Sequence, residues 1–179
     1  MTTATQTYAR KHAWIHWIMA VLILLMLLVG QKFGTQMPEA DRIFSLSAHS
    51  SLGLIVVLLL VVRIAMRATG ASQKPTLPIS PMLQRIATGA QYALYALMIF
   101  VPVTGFLAAR VHPLPVSPFG ITNISTPNLM SYETLRPLHE FGTKALIVVV
   151  ALHIAGALFH KFIKRDGVMR AMNPFAKRA

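Results

Sequence analysis

Four histidines, His16, His49, His139 and His153, sit within segments that are otherwise apolar and of membrane-spanning length. An ionisable side chain is costly in hydrocarbon, so such residues mark sites with a bound partner. His139 and His153 are 14 residues apart. On one helix this separates them by about 21 Å along the axis but by only about 40° in rotation. One helix thereby offers imidazoles at two depths. His16 opens the first apolar segment and His49 the second, so each depth gains a second imidazole from another helix. That layout fits two bis-histidine haems stacked across a membrane. Imidazole also suits zinc or copper, but four ligands spread over about 21 Å cannot converge on one tetrahedral ion.

The elements that must position these residues follow from where charge is missing. Windows without Asp, Glu, Lys or Arg cover residues 13–31, 43–62, 86–109 and 145–160. The first three approach or exceed the roughly 20 residues needed to span hydrocarbon. The fourth does so if it starts near Pro137, with Glu140 and Lys144 in interfacial turns. The composition, 55% hydrophobic and 12% charged, agrees with an integral membrane protein. The expected fold is all-α: a four-helix transmembrane bundle with two b-type haems, one domain over residues 1–179 and helices near 12–31, 43–66, 84–109 and 137–164. Pro102 and Gly105 fall inside the third helix, where a kink is tolerated if neighbouring helices satisfy the freed backbone groups. With no histidine of its own, that helix reads as a wall of the bundle. Five prolines in the segment from Arg110 to Pro137, the last included, argue against continuous helix there.

The net charge of +12 would suggest nucleic acid in a soluble protein, but no such partner is expected here, because the basic residues cluster at particular helix ends. Arg10 and Lys11 precede helix 1. Arg63, Arg67, Lys74 and Arg85 lie between helices 2 and 3, and Lys161, Lys164, Arg165, Arg170, Lys177 and Arg178 follow helix 4. The other two connections carry only Lys32, Arg42, Arg110 and Arg136. The positive-inside rule then places both termini in the cytoplasm. The basic start and long apolar run are read as a retained first helix rather than a signal peptide. With no cysteine, thiolate clusters, covalent haem attachment and disulfides are excluded, so haem must be held by side-chain coordination.

This topology pairs the histidines by depth: His16 with His153 near the cytoplasm, His49 with His139 near the outside. Gly53, Gly142 and Gly156 follow the ligand positions by three or four residues, and either make room for a macrocycle or let helices approach closely. His160, seven residues after His153, either hydrogen-bonds a quinone carbonyl or snorkels at the interface. His12 is expected to be exposed and without a role, and His112 to serve the surface of the outer loop.

The sequence resembles the bacterial cytochrome b561 family, whose two-haem, four-helix members include the superoxide oxidases. The resemblance rests on His16-Trp17, on Ala48-His49 with Gly53 and Val61-Val62-Arg63, and on Leu138-His139-Glu140 followed by Leu152-His153 and His160. It implies b-type haems on His16, His49, His139 and His153, and quinone reduction near the inner haem at His160. Where a member of that family carries a serine two positions before the first ligand, this chain has Trp14, so its indole N–H supplies the hydrogen bond to quinone or that bond is lost. Bis-histidine ligation leaves no open site on iron. The expected activity is electron transfer from a periplasmic one-electron donor, superoxide, to ubiquinone, with Lys32, Arg42, Arg110 and Arg136 steering the anion. The rivals are a haem b subunit of a hydrogenase or formate dehydrogenase, and a non-catalytic electron carrier in the lipid.

Overall fold

The computed structural model describes residues 7–71, 75 and 79–176. Lys74, Pro78, Lys177, Arg178 and the first six residues of the polar start lie outside the described residues. Four long helices dominate: α1 Arg10–Gln31, α2 Glu39–Ala68, α3 Pro81–Arg110 and α4 Leu129–Phe159. A π-helical turn, His160–Lys164, continues α4 and is followed by a short α5, Val168–Ala171. Including the flanking turns, the candidate spans are 25, 30, 30 and 36 residues long, each beyond the minimum for crossing hydrocarbon. The chain is all-helical among the described residues, a four-helix transmembrane bundle. Leu28, Leu58, Phe141 and Leu152 point outward and are well exposed, as expected of side chains that lipid covers.

Local chemistry sets the helix starts. Glu39 and Asp41 lie in the first turn of α2, where carboxylates complement the N-terminal end of the helix dipole. The helix accordingly begins four residues before the expected 43. Ser80 accepts from the Leu83 N–H and Pro81 occupies the first turn of α3, which is the preferred chemistry for a helix start. For α4 the expected start at 137 is corrected to Leu129. Asn128 caps it by accepting from the Ser131 N–H at 3.1 Å, and Pro137 sits inside the helix, removing one backbone hydrogen bond without ending it.

Helix α4 packs along α3, α3 on α2 and α2 on α1, whereas no comparable backbone contact joins α4 to α1 or α2. The bundle is therefore open between α4 and the two helices that carry the opposing histidines. The outer connection is pinned over α2: the Ser117 N–H donates to Ser47 Oγ at 3.0 Å and the Phe119 N–H to Ser51 Oγ at 2.7 Å. At the other end the C-terminal segment folds back on α1. The Tyr8 N–H donates to the Ala171 carbonyl at 3.0 Å, and Trp17 Nε1 donates to the Met172 carbonyl at 2.9 Å.

Candidate functional site

The half-buried rings of His16 and His153 face each other across the gap between α1 and α4, with centroids 6.2 Å apart and planes at 75°. His49 and His139 do the same between α2 and α4, at 6.4 Å and 90°. Two imidazoles bonded to opposite sides of one metal at about 2 Å have ring centroids about 6.3 Å apart. Both pairs therefore have the separation that a shared axial metal requires. Among the described residues no group of three or more His, Cys, Asp or Glu side chains converges on a metal site. Two imidazoles on opposite sides of an ion leave its remaining positions to other donors, and the planar macrocycle of haem supplies four. Backbone contact between α4 and helices α1 and α2 is sparse around both pairs.

Helix α3 does more than wall the site. His139 Nδ1–H donates to the Val101 carbonyl at 2.9 Å, which fixes the tautomer and leaves Nε2 as the bare, metal-binding nitrogen. The ring reaches that carbonyl over Gly105, where a Cβ would lie 2.8 Å from His139 Cε1. Thr104 also faces the ring, 3.4 Å from Nδ1, while its hydroxyl is held by the Phe100 carbonyl at 2.9 Å. The signal for this support was the run Pro102-Val103-Thr104-Gly105, in which a small residue and a hydroxyl interrupt an apolar helix. His49 carries its Nδ1 buried without a hydrogen-bond partner and packs edge-on against Phe33 at 5.5 Å.

The glycines divide. A Cβ on Gly142 would meet the Phe100 ring at 2.8 Å, so this glycine lets α3 and α4 approach. Gly53 is in ordinary contact range of Met26, and Gly156 has nothing within 4 Å of a built Cβ, which is open space on the His153 side.

A model of the prokaryotic cytochrome b561 family matches residues 7–174. The chain belongs to that family. It is 24% identical over 176 residues to cytochrome b561 homolog 2 of Escherichia coli (strain K12), covering 96% of this chain and 93% of that one. It is 24% identical over 166 residues to the probable superoxide oxidase CybB of Yersinia pestis, covering 89% and 92%. With cytochrome b562 of Cereibacter sphaeroides it shares 25% identity over 174 residues, covering 93% and 96%. Cytochromes b561 are membrane proteins that bind haem b and transfer electrons, and the paired histidines suit that chemistry.

Around the b561 histidines the remaining candidates fall into place. Trp14 and His160 line one cavity of about 640 Å³ at the end of the bundle that carries both termini, together with Trp17, Lys161, Arg170 and Phe175. Trp14 meets Phe175 edge-on at 5.2 Å. At the opposite end Arg42 donates to the Thr35 carbonyl at 3.1 Å, and Arg136 pairs with Glu140 at 3.0 Å with both side chains about half exposed. Both candidate steering residues thus already have partners, whereas Lys32 and Arg110 are exposed.

Two expectations are corrected. His12 is 0% exposed, with both ring nitrogens lacking hydrogen-bond partners, because Tyr8 stacks on it at 5.0 Å and the C-terminal segment holds Tyr8 in place. Burial also pushes the Tyr8 phenol up from its ordinary value. Arg63 donates to the His12 carbonyl at 3.4 Å and to Tyr95 Oη at 3.3 Å. His112 is only 7% exposed. It accepts from the Leu114 N–H at 2.9 Å, packs against Tyr132 at 4.8 Å, and is a loop staple whose burial holds it below the ordinary imidazole range.

Proposed function

We propose that this b561 cytochrome oxidises superoxide on one face of the bacterial inner membrane and reduces ubiquinone within it. In this reading both termini are cytoplasmic, since the basic residues gather at that end. His16 with His153 and His49 with His139 would hold two b haems. Haem b held there would supply one-electron transfer at two depths.

The matched separations of the two histidine pairs, 6.2 and 6.4 Å, carry this reading. Val101 holds His139 in its ligating tautomer. At the outer end Lys32, Arg42, Arg110 and Arg136 form a sparse cationic rim that draws a small anion by long-range attraction. At the inner end Trp14 and His160 border the cavity where quinone binds. The homologous protein of Yersinia pestis named probable superoxide oxidase supports the choice of donor.

The test is purified protein given a superoxide source and a short-chain ubiquinone. Superoxide-dependent quinol formation in the absence of any other subunit is the expected result. Reduction that requires a co-purifying partner would instead assign the chain to a larger respiratory complex.

A further inference from the structure

Of the five acidic residues in the chain, Glu39 and Asp41 lie in the first turn of α2 and Glu133 and Glu140 in the first half of α4, toward the end opposite the termini. The fifth, Asp166, stands among the basic residues at the terminus-bearing end, and the backbone is bent to place it. After the π-helical turn, Arg165 adopts the left-handed conformation at φ 53° and its N–H donates to the His160 carbonyl at 2.7 Å. Gly167 follows at φ 84°, a conformation that glycine adopts without steric cost. The reversal returns the Asp166 carboxylate to the start of the turn. Its Oδ2 lies 2.5 Å from His160 Nδ1, and the two side chains are 12% and 13% exposed, histidine first.

His160 lines the cavity of about 640 Å³, with Lys161 and Arg165 from its own turn, Arg170 from α5 and the uncharged Trp14 and Trp17 from α1. With Nδ1 committed to the carboxylate, Nε2 is the ring nitrogen left for a ligand. A carboxylate on Nδ1–H fixes both the orientation of an imidazole and which nitrogen serves the substrate.

We propose that Asp166 is a positioning residue for quinone protonation, holding His160 so that Nε2–H donates first a hydrogen bond and then its proton to a quinone carbonyl oxygen. The proposal rests on the quinone reading of the same cavity. Two superoxide ions supply the two electrons and leave as two molecules of dioxygen. At the bound oxygen the Nε2–H bond of the protonated ring breaks and an O–H bond forms, leaving a neutral ring with its Nδ1–H on Asp166. Water at this end of the bundle returns the proton to Nε2 and supplies the second proton to the other carbonyl, completing the quinol.

A purely structural role is the competing explanation, since Asp166 Oδ1 also accepts from the Val168 N–H at 3.3 Å. Asp166→Asn keeps that acceptor and removes the charge. Haem spectra and superoxide-driven haem reduction are expected to stay as in the parent. Quinol formation near neutral pH should fall at least about tenfold, and the pH profile of the rate should change with it. Asp166→Glu should restore part of the rate. A parental rate and pH profile in Asp166→Asn would overturn the proposal and leave Asp166 as a turn cap.

His160→Gln separates the two layers. Undiminished quinol formation in that variant would remove the quinone reading itself. Loss there with a parental Asp166→Asn would remove only the dyad. Should Asp166→Asn fail to fold, histidine-labelled parent protein titrated with decylubiquinone gives the answer by nitrogen NMR. The Nε2 resonance of His160 should move while Nδ1 stays protonated, and movement at Nδ1 would contradict the assignment.

Discussion

Gly105 of α3 lies directly under the ring of His139 of α4, so close that a Cβ there would sit 2.8 Å from Cε1 and 3.0 Å from Nδ1. The absence of one methyl group lets His139 reach the Val101 carbonyl. Gly105→Ala should push the ring off that acceptor and loosen the outer haem about 10–100-fold, the usual cost of losing an outer-shell partner. Haem retention during dilution checks this, with the inner haem as internal control. Equal retention of both haems would show that Val101 does not support the ligand.

The two pairs should be separable. Replacing His139 by Ala should remove one b haem and leave the spectrum of the other, and His49→Ala should give the same residual spectrum. His16→Ala and His153→Ala should share the complementary spectrum. A pyridine haemochrome assay on each variant checks the pairing, and mixed residual spectra would redraw it.

Charge at the outer rim should govern donor capture. Arg136 is paired with Glu140 across 3.0 Å, so Glu140→Gln should raise the superoxide rate severalfold and Arg136→Glu should lower it. Both effects should shrink as the Debye length falls below about 8 Å with added salt. Stopped-flow rates at two ionic strengths decide the matter, and indifference to all three changes would end the steering reading.

The outer loop should carry a pH dependence of its own. Burial lowers the proton affinity of His112 in the folded state, so between that value and about 6.5 the unfolded loop binds more protons than the folded one. Loop stability is complete above about pH 6.5 and declines as pH falls through that region. The protection of the Ile124 and Asn128 amides, which bond back to Val116 and Val111, should fall on acidification once exchange is corrected for its intrinsic pH dependence, and His112→Asn should lose most of that response.

Much of this was legible in the sequence for a physical reason. Hydrocarbon tolerates only satisfied backbone and few ionisable groups, so four apolar runs and four intramembrane histidines stood out. The 14-residue spacing on one helix sets two ligand candidates at two depths. What depended on the chain folding back on itself was hidden. His12 reads as a terminal, solvated residue until the C-terminal segment fixes Tyr8 over it. Asp166 reads as part of a basic tail until a left-handed Arg165 turns it toward His160. The start of α4 was misplaced because Pro137 was weighed as a breaker, whereas the Asn128 cap had already committed the helix.

The most direct test of two bis-histidine haems is the haem count and spin state of freshly purified protein. Two b haems per chain, both low-spin in the oxidised state, are predicted from paired rings 6.2 and 6.4 Å apart. One haem per chain, or a high-spin signal from either site, would contradict the account.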